Sequence, residues 1–383
     1  MKDRYVLLTG SRNNAGDFLI KHRAMALLAA LRPDREIVDY DGWKPLTDEQ
    51  LAVINDSRAL LLTGGPAVQK RMHPGVYPLR SDLDDIRVPI GTFGVGWSTT
   101  EGRWSDTRRM GFTAATTTLL ERLERDGLAL SVRDHHTQNA LKVADLTSTT
   151  MTGCPALYSL PHLGTPFAGD GRPSTVSISL GTRFASNVPL ERQARELVTR
   201  ARSVFEGAAL TVVFHHALDE SFKRAYGHTG PLYGAQRRFA AWLEEQGVAY
   251  VDVSGSAERL IEHYSKADLH LGYRVHAHIL MTSLRRPSLL LAEDGRGRAL
   301  RDVLGGHVYD AFDSLRLKDA RVRGVAVKLG LRSIAYAVPE GVATDAVDML
   351  ELDMLHGWPR ARMAIDAVDA RWPVMKRFIE ALP

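Results

Sequence analysis

The stretch Leu271–Pro287, LGYRVHAHILMTSLRRP, places Arg274, His276 and His278 within five residues, just after a glycine and at the mouth of an almost wholly apolar helical stretch. The unpaired N–H groups and the macrodipole at the start of a helix attract anions, so a cation there is unfavourable unless a bound anion compensates it. Arg274 and His276 therefore predict a carboxylate or phosphate ligand, with the guanidinium fork able to hold two oxygens at once. The competing structural reading pairs Arg274 with a nearby acid such as Asp268 or Asp294 and lets the histidines pack. His278 reads as a packing residue or a support for the site.

Two other turns at strand ends carry suggestive chemistry, since ligands of open α/β sheets bind at the carboxyl ends of strands. In GSRNNAGD, Asn13 and Asn14 offer amides, Gly16 permits close approach, and Asp17 either faces a ligand or simply caps the helix that begins there. In TGGP, Gly64 and Gly65 turn backbone amides towards a ligand or only make a tight turn.

Several other chemistries are excluded by pattern. GSRNNAGD lacks the G-x-G-x-x-G spacing of a dinucleotide site. No G-x-x-x-x-G-K-[ST], G-x-S-x-G or H-E-x-x-H occurs, and Cys154 has no partner histidine at a recognisable spacing. The adjacent pairs His135–His136 and His215–His216 point in different directions on any regular element, so no metal site is expected.

The elements that must position these residues alternate. RYVLLTG, EIVDYD, RALLLTGG, VPIGTFGVG and LALSVRD read as strands, with DFLIKHRAMALLAAL and AATTTLLERLER as helices between some of them. Leu160–Thr175, LPHLGTPFAGDGRPST, is rich in proline and glycine and marks a domain boundary. A second series follows with strands TVSISLGTR, LTVVFHH, VAYVDVS and DLHLGY, and helices LERQARELVTRARSVF, GAQRRFAAWLEEQG and SAERLIEHYSKA. The expected architecture is α/β: two Rossmann-like domains facing a cleft, over residues 1–165 and 172–340, with a helical tail at 341–383 packing back on them.

Composition is that of a globular protein, 44% hydrophobic and 25% charged, and 383 residues suit two domains. The net charge of +4 is mild and not gathered into a run, so no nucleic-acid partner is expected. Arginine far outnumbers lysine, which suits carboxylate and phosphate recognition. The single cysteine, the absence of a signal-peptide pattern and the lack of any ~18-residue apolar run lead to the expectation of a cytoplasmic protein.

In their order along the chain these turns resemble the polysaccharide pyruvyl transferase family. NNAGDFLI is similar to the family's N-x-G-D-x-x-I, LLLTGGPAVQ to its glycine-rich strand and turn, VPIGTFGVG to its P-x-x-x-x-G-x-G-x-G strand, SVRDHHTQNAL to its V-R-D segment, and GYRVHAHILMTSLRRPSLLL to its G-x-R-x-H-x-x-I motif. The resemblance spans roughly residues 7–300. It departs where the family's S-L-R reads SLGTR, displacing the arginine to Arg183, where a D-P pair reads Cys154–Pro155, and where Y-D-x-K reads AEDGRGRAL, with Glu293, Asp294 and Arg296.

The resemblance implies a GT-B-like architecture and transfer of a pyruvyl group from phosphoenolpyruvate to sugar hydroxyls, usually as a cyclic ketal. Arg274 and His276 would then be catalytic, with His276 the general acid that protonates the methylene carbon. Arg183, His215, Asp294 and Arg296 would contact the donor, while Asn14, Asp17, Gly64, Gly65, Arg133 and Asp134 would face the acceptor, an ion pair between Arg133 and Asp134 being the structural alternative. No cofactor is implied beyond phosphoenolpyruvate as donor substrate. The acceptor would be a saccharide in a cell-surface glycan or its precursor, and a lipid-linked acceptor would bring peripheral contact with a membrane. Two other readings stay open: a nucleotide-sugar glycosyltransferase of the same architecture, using Glu293 or Asp294 for the ribose, and a non-catalytic member of the fold.

Overall fold

A computed structural model describes residues 2–169, 171–315 and 336–383, together with 321, 322, 325, 326, 329 and 331. The chain divides into two compact units, the first of residues 1–11, 17–163 and 367–383, the second of residues 12–16 and 164–366. The change of unit at Leu163–Gly164 falls inside the proline- and glycine-rich segment. Two short exchanges, of residues 12–16 and 367–383, depart from a simple cut along the chain.

The first unit runs β1 (Arg4–Thr9), α1 (Ala15–Leu31, its first two residues counting with the second unit), β2 (Glu36–Asp41), α2 (Asp48–Asn55), β3 (Ala59–Thr63), β4 (Ile90–Phe93), α3 (Ala114–Arg125), β5 (Leu130–Val132), α4 (His135–Lys142) and β6 (Thr149–Met151). Its main sheet is parallel, in the order β2-β1-β3-β4. Strands β1 and β3 are buried along their whole length, which is why YVLLT and ALLLT read as unbroken apolar runs rather than alternating ones. Strands β5 and β6 pair in parallel, and a bridge between Val95 and Val132 links them to the segment after β4.

The second unit runs β7 (Thr175–Ser179), α5 (Val188–Val204), β8 (Ala209–Phe214), α6 (Ser221–Tyr226), α7 (Gly230–Glu245), β9 (Ala249–Asp252), α8 (Ala257–Ser265), β10 (Leu269–Gly272), α9 (Val275–Ser283), β11 (Ser288–Ala292), α10 (Gly295–Leu304), β12 (His307–Asp310), a small antiparallel pair β13 (Ser314–Leu315) and β14 (Tyr336–Ala337), and α11 (Val342–Leu355). Six strands form a parallel sheet in the order β12-β11-β10-β7-β8-β9. From β7 the chain builds one way to β9, then returns to place β10 on the other side of β7. The strand order therefore reverses between β7 and β10, where such sheets open a crevice at their carboxyl ends.

Helix α5 shows how sequence makes these layers. Asn187 caps it by accepting the Leu190 N–H at 3.0 Å, proline occupies the first turn, and Leu190, Ala194, Leu197, Val198, Ala201 and Val204 bury one stripe. The tail is helical, as the sequence predicts: α11 and then α12 (Pro359–Glu380). From Ala367 onward it packs in the first unit, where Phe378 stacks on Phe93 at 5.9 Å and Trp372 lies 5.3 Å from Tyr158.

Helix α1 begins at Ala15, two residues before the sequence places it. Asp17 is consequently the third residue of the helix and not its cap.

Candidate functional site

The reversal point of the second sheet gathers the loops after β7, β8, β10 and β11. After β10, Gly272 adopts a φ of +133°, and a Cβ there would sit 2.2 Å from the Ser179 carbonyl, so only glycine lets the strand end close against β7. The chain then enters α9 with Arg274 as its N-cap residue and His276 in the first turn. Arg274 contributes no side-chain cap; its N–H donates instead to Ser179 Oγ at 3.0 Å. Its guanidinium, only 8% exposed, donates to Asn14 Oδ1.

Neither acid offered as a structural partner takes Arg274. Asp268 accepts from Ser174 and Thr175 at 2.7–3.0 Å. Asp294 caps α10 by accepting the Arg296 N–H at 2.9 Å and pairs with the Arg296 guanidinium at 2.6 Å. Burial pushes the Asp294 carboxyl up, but Arg296, with Arg183 beyond it, outweighs burial and holds it far below the usual carboxylate range.

The segment 12–16 belongs to this unit because its neighbours hold it there. Asn13 accepts Gly255 N–H on its carbonyl at 2.7 Å and Ala217 N–H on its amide oxygen at 2.8 Å, and Ala15 N–H donates to the His215 carbonyl at 3.1 Å. Gly16 then lies so close to His276 that a Cβ would be 2.2 Å from its Nδ1. Within the second unit the 12–16 segment thus lies beside Arg274 and His276 at the start of α9, whose N-terminus favours an anion. Asn14, expected on the acceptor side, is found hydrogen-bonded to Arg274, expected on the donor side.

His215 ends β8 and is 2% exposed. Burial, and then Arg274, pushes its proton affinity well below the ordinary histidine value, and His216 is lowered by burial, Arg274 and Arg296. His215 Nε2 lies 3.0 Å from Tyr264 Oη, and its buried Nδ1 makes no hydrogen bond among the described residues. A neutral imidazole held this way can meet a ligand oxygen without adding charge.

After β7 the loop Gly181–Arg183 is tied by Glu293, which accepts Thr182 N–H at 2.8 Å, Thr182 Oγ1 at 3.0 Å and Arg183 N–H at 3.0 Å. Gly181 is required beneath it, since a Cβ would stand 2.3 Å from Glu293 Oε2. The Arg183 side chain makes no hydrogen bond or ion pair of 4 Å or less among the described residues, while its charge reaches Asp294.

Behind Arg274 runs a buried polar chain that the sequence reading missed: Ser179 Oγ to His270 Nε2 at 2.8 Å, His270 Nδ1 to Ser288 Oγ at 2.7 Å, and Ser288 Oγ to His278 Nδ1 at 2.8 Å. Burial lowers both imidazoles, His278 to about 3, so the chain is neutral. Its signal in the sequence is the set of polar residues interrupting strands otherwise apolar on both faces, TVSIS and LHLG.

The residues expected on the first unit form a separate group. Gly64 and Gly65 have φ of +62° and +69°; a Cβ on Gly64 would meet Ile20 at 2.2 Å, whereas one on Gly65 would meet nothing within 4 Å. Arg133 and Asp134 are buried and paired at 3.3 Å. Asp134 also caps α4, accepting Thr137 N–H at 2.7 Å and its hydroxyl at 2.8 Å, while Arg133 Nη2 donates to the Trp97 carbonyl at 3.3 Å. The two thus make the ion pair named as the structural alternative for them. Cys154 is 2% exposed and burial raises its thiol, so at the Cys154–Pro155 departure the family's carboxylate is replaced by an inert side chain.

Among the described residues no group of three or more His, Cys, Asp or Glu is placed to hold a metal ion, and no helix is long and apolar enough to cross a membrane.

Comparison with known proteins places the chain. The OtsA apo structure superposes with a TM-score of 0.51 at 10% identity, covering 99% of this chain and 98% of that one. The UDP-GlcNAc 2-epimerase of Methanocaldococcus jannaschii gives 0.45 at 10% identity, with 92% and 100% covered, and a 2-epimerase described as putative from Listeria monocytogenes gives 0.46 at 10%, with 96% and 91% covered. A search of curated proteins returned no significant match. The fold is accordingly of GT-B type, two Rossmann-like α/β units. The family model for polysaccharide pyruvyl transferases matches residues 14–295, which take in Asn14, Arg183, His215, Arg274, His276 and Asp294. The chain belongs to the polysaccharide pyruvyl transferase family and is a transferase.

Proposed function

We propose that the protein transfers a pyruvyl group from phosphoenolpyruvate to hydroxyls of a saccharide, in the cytoplasm and without a further cofactor, as a step in making a cell-surface glycan. The observation that carries this reading is the cluster of Arg274 and His276 at the start of α9, with Asn14 bonded to the guanidinium and Gly16 against the imidazole. Such a site favours a small dianion bearing a carboxylate and a phosphate.

Arg274 holds one anionic group of the donor and Arg183, with its guanidinium uncommitted, the other. His276 delivers a proton to the methylene carbon of phosphoenolpyruvate, leaving an oxocarbenium-like centre at C2. A saccharide hydroxyl adds there and returns its proton to the imidazole. A second hydroxyl then forms the other C–O bond as the C2–O bond to phosphate breaks, and its proton leaves on the departing inorganic phosphate. Proton transfer of this kind contributes ~10²–10⁴-fold, which sets the expected loss for His276→Ala. The nucleotide-sugar alternative needs a free late acid for the ribose; Glu293 and Asp294 hold a loop and an arginine instead.

The test is a thermal shift with phosphoenolpyruvate, UDP and GDP on wild type and Arg274→Ala. At 100-fold over Kd a ligand stabilises by ~2.7 kcal/mol, which raises Tm by roughly 5–10 °C in wild type. The shift with phosphoenolpyruvate is expected to vanish in the variant. Tight nucleotide binding with indifference to phosphoenolpyruvate would overturn the reading.

A further inference from the structure

The first unit carries a groove along helix α4. It is open to solvent, and its lining includes Trp104, four residues of α4 (His135, Gln138, Asn139 and Lys142) and Thr149. The four α4 residues fall at i, i+3, i+4 and i+7, one face of a helix ~12 Å long.

The lining has a particular chemistry. Trp104 is 45% exposed, unusual for so large an apolar side chain, yet it is not loose: its ring meets His136 edge to face at 5.1 Å, and His136 lies 5.2 Å from the buried Trp97. The amide nitrogen of Gln138 donates to the Thr149 carbonyl at 3.0 Å and that of Asn139 to Thr107 Oγ1 at 2.6 Å. Their amide oxygens are thereby left as acceptors held in fixed orientation. Lys142 makes no ion pair among the described residues. A fixed aromatic face, oriented acceptors and one isolated cation match a pyranose chain, whose rings have an apolar face and a rim of hydroxyls, bearing an acidic substituent. They do not match a nucleotide, for which the groove has no glycine-rich loop.

We propose that this groove is a saccharide subsite: it takes non-reacting sugars of the acceptor chain, stacked on Trp104, with an acidic group of that chain at Lys142. The proposal rests on the saccharide-acceptor reading above and deepens it. Binding energy gathered at a distance from the reacting hydroxyls can be used to position them.

The test uses the full chain labelled at tryptophan with nitrogen-15, whose indole N–H signals are followed in two-dimensional NMR. The Trp104 signal is the one lost in Trp104→Phe. The probes are hexagalacturonate, an acidic pyranose chain, and cellohexaose, a neutral one, each taken to about 10 mM, where a site with Kd near 1 mM is mostly filled. The expected result is a saturable shift of the Trp104 signal with both, at several-fold lower Kd for hexagalacturonate, with that preference lost in Lys142→Ala and the binding lost in Trp104→Ala. A Trp104 signal unmoved by both chains overturns the subsite, as does binding unchanged in Trp104→Ala. Phosphoenolpyruvate titrated into Trp104→Ala separates the two failures: a retained thermal shift with no saccharide response sinks the groove alone, whereas loss of donor binding in wild type sinks the reading beneath it.

Discussion

At position 16 the absence of a side chain decides where the His276 imidazole sits. Alanine is the better helix former, by about 1 kcal/mol, so Gly16→Ala should leave Tm unchanged or slightly raised on propensity alone. Its Cβ, however, would stand 2.2 Å from His276 Nδ1 and must push the ring aside. A misplacement of about 1 Å can cost ~10²-fold in rate, so phosphate release from phosphoenolpyruvate should fall by about that factor while circular-dichroism melting stays near wild type. Equal rates in the two proteins would show that His276 is not the proton donor. This is also the scale at which the sequence was most legible. Arg274 and His276 could be placed because a cation at a helix start is physically conspicuous. Ser179, His270 and Ser288 could not, because their roles depend on which strands lie side by side, and that pairing is long-range.

Among the elements, the loop between β7 and α5 is held by a residue that the sequence offers for another task. Glu293 looks like a ligand-binding acid in sequence; in the fold its carboxylate ties down Thr182 and Arg183 from the end of the neighbouring strand pair. Glu293→Gln replaces one acceptor oxygen with a donor that faces backbone N–H groups. Leaving buried donors unmet costs about 1–3 kcal/mol, to be read as a lower urea midpoint. Because Arg183 rides on that loop, KM for phosphoenolpyruvate should rise more than kcat falls, and a variant with unchanged KM would remove Arg183 from the donor site. The helices with clear stripes, such as α3 and α5, emerged where the sequence put them. Helix α4 did not, since RDHHTQNALK is polar around most of its circumference and is started by Asp134 rather than by periodicity.

Across the whole molecule, the second unit buries histidines whose charge it cannot accommodate. His215, His270 and His278 are at most 2% exposed and all have lowered proton affinity, burial being the first cause in each, with His216 alongside. For a histidine lowered in the folded state, the unfolded chain binds more protons between its own value, about 6.5, and the folded one, so stability rises with pH across that window and falls as the medium is acidified. At full slope each group contributes ~1.4 kcal/mol per pH unit, so the three most buried together remove about 4. Set against a stability of roughly 5–15 kcal/mol, a loss of that size per pH unit is a large fraction of what holds the second unit folded. Carboxylates such as the partly exposed Asp268 and the buried Asp353, lowered by their hydrogen bonds against the opposing effect of burial, act in the same direction but only near and below the ordinary carboxylate value of about 3.9. The interval from about pH 6.5 to 5 therefore isolates the histidines. Urea unfolding across it should show a steep loss of stability, and His270→Asn, which removes one titrating ring from the polar chain, should flatten the pH dependence by about one group's slope even if it lowers stability at neutral pH. A stability curve level through that interval would mean that the rings open to solvent before they charge, and the neutral support behind Arg274 would have to be abandoned.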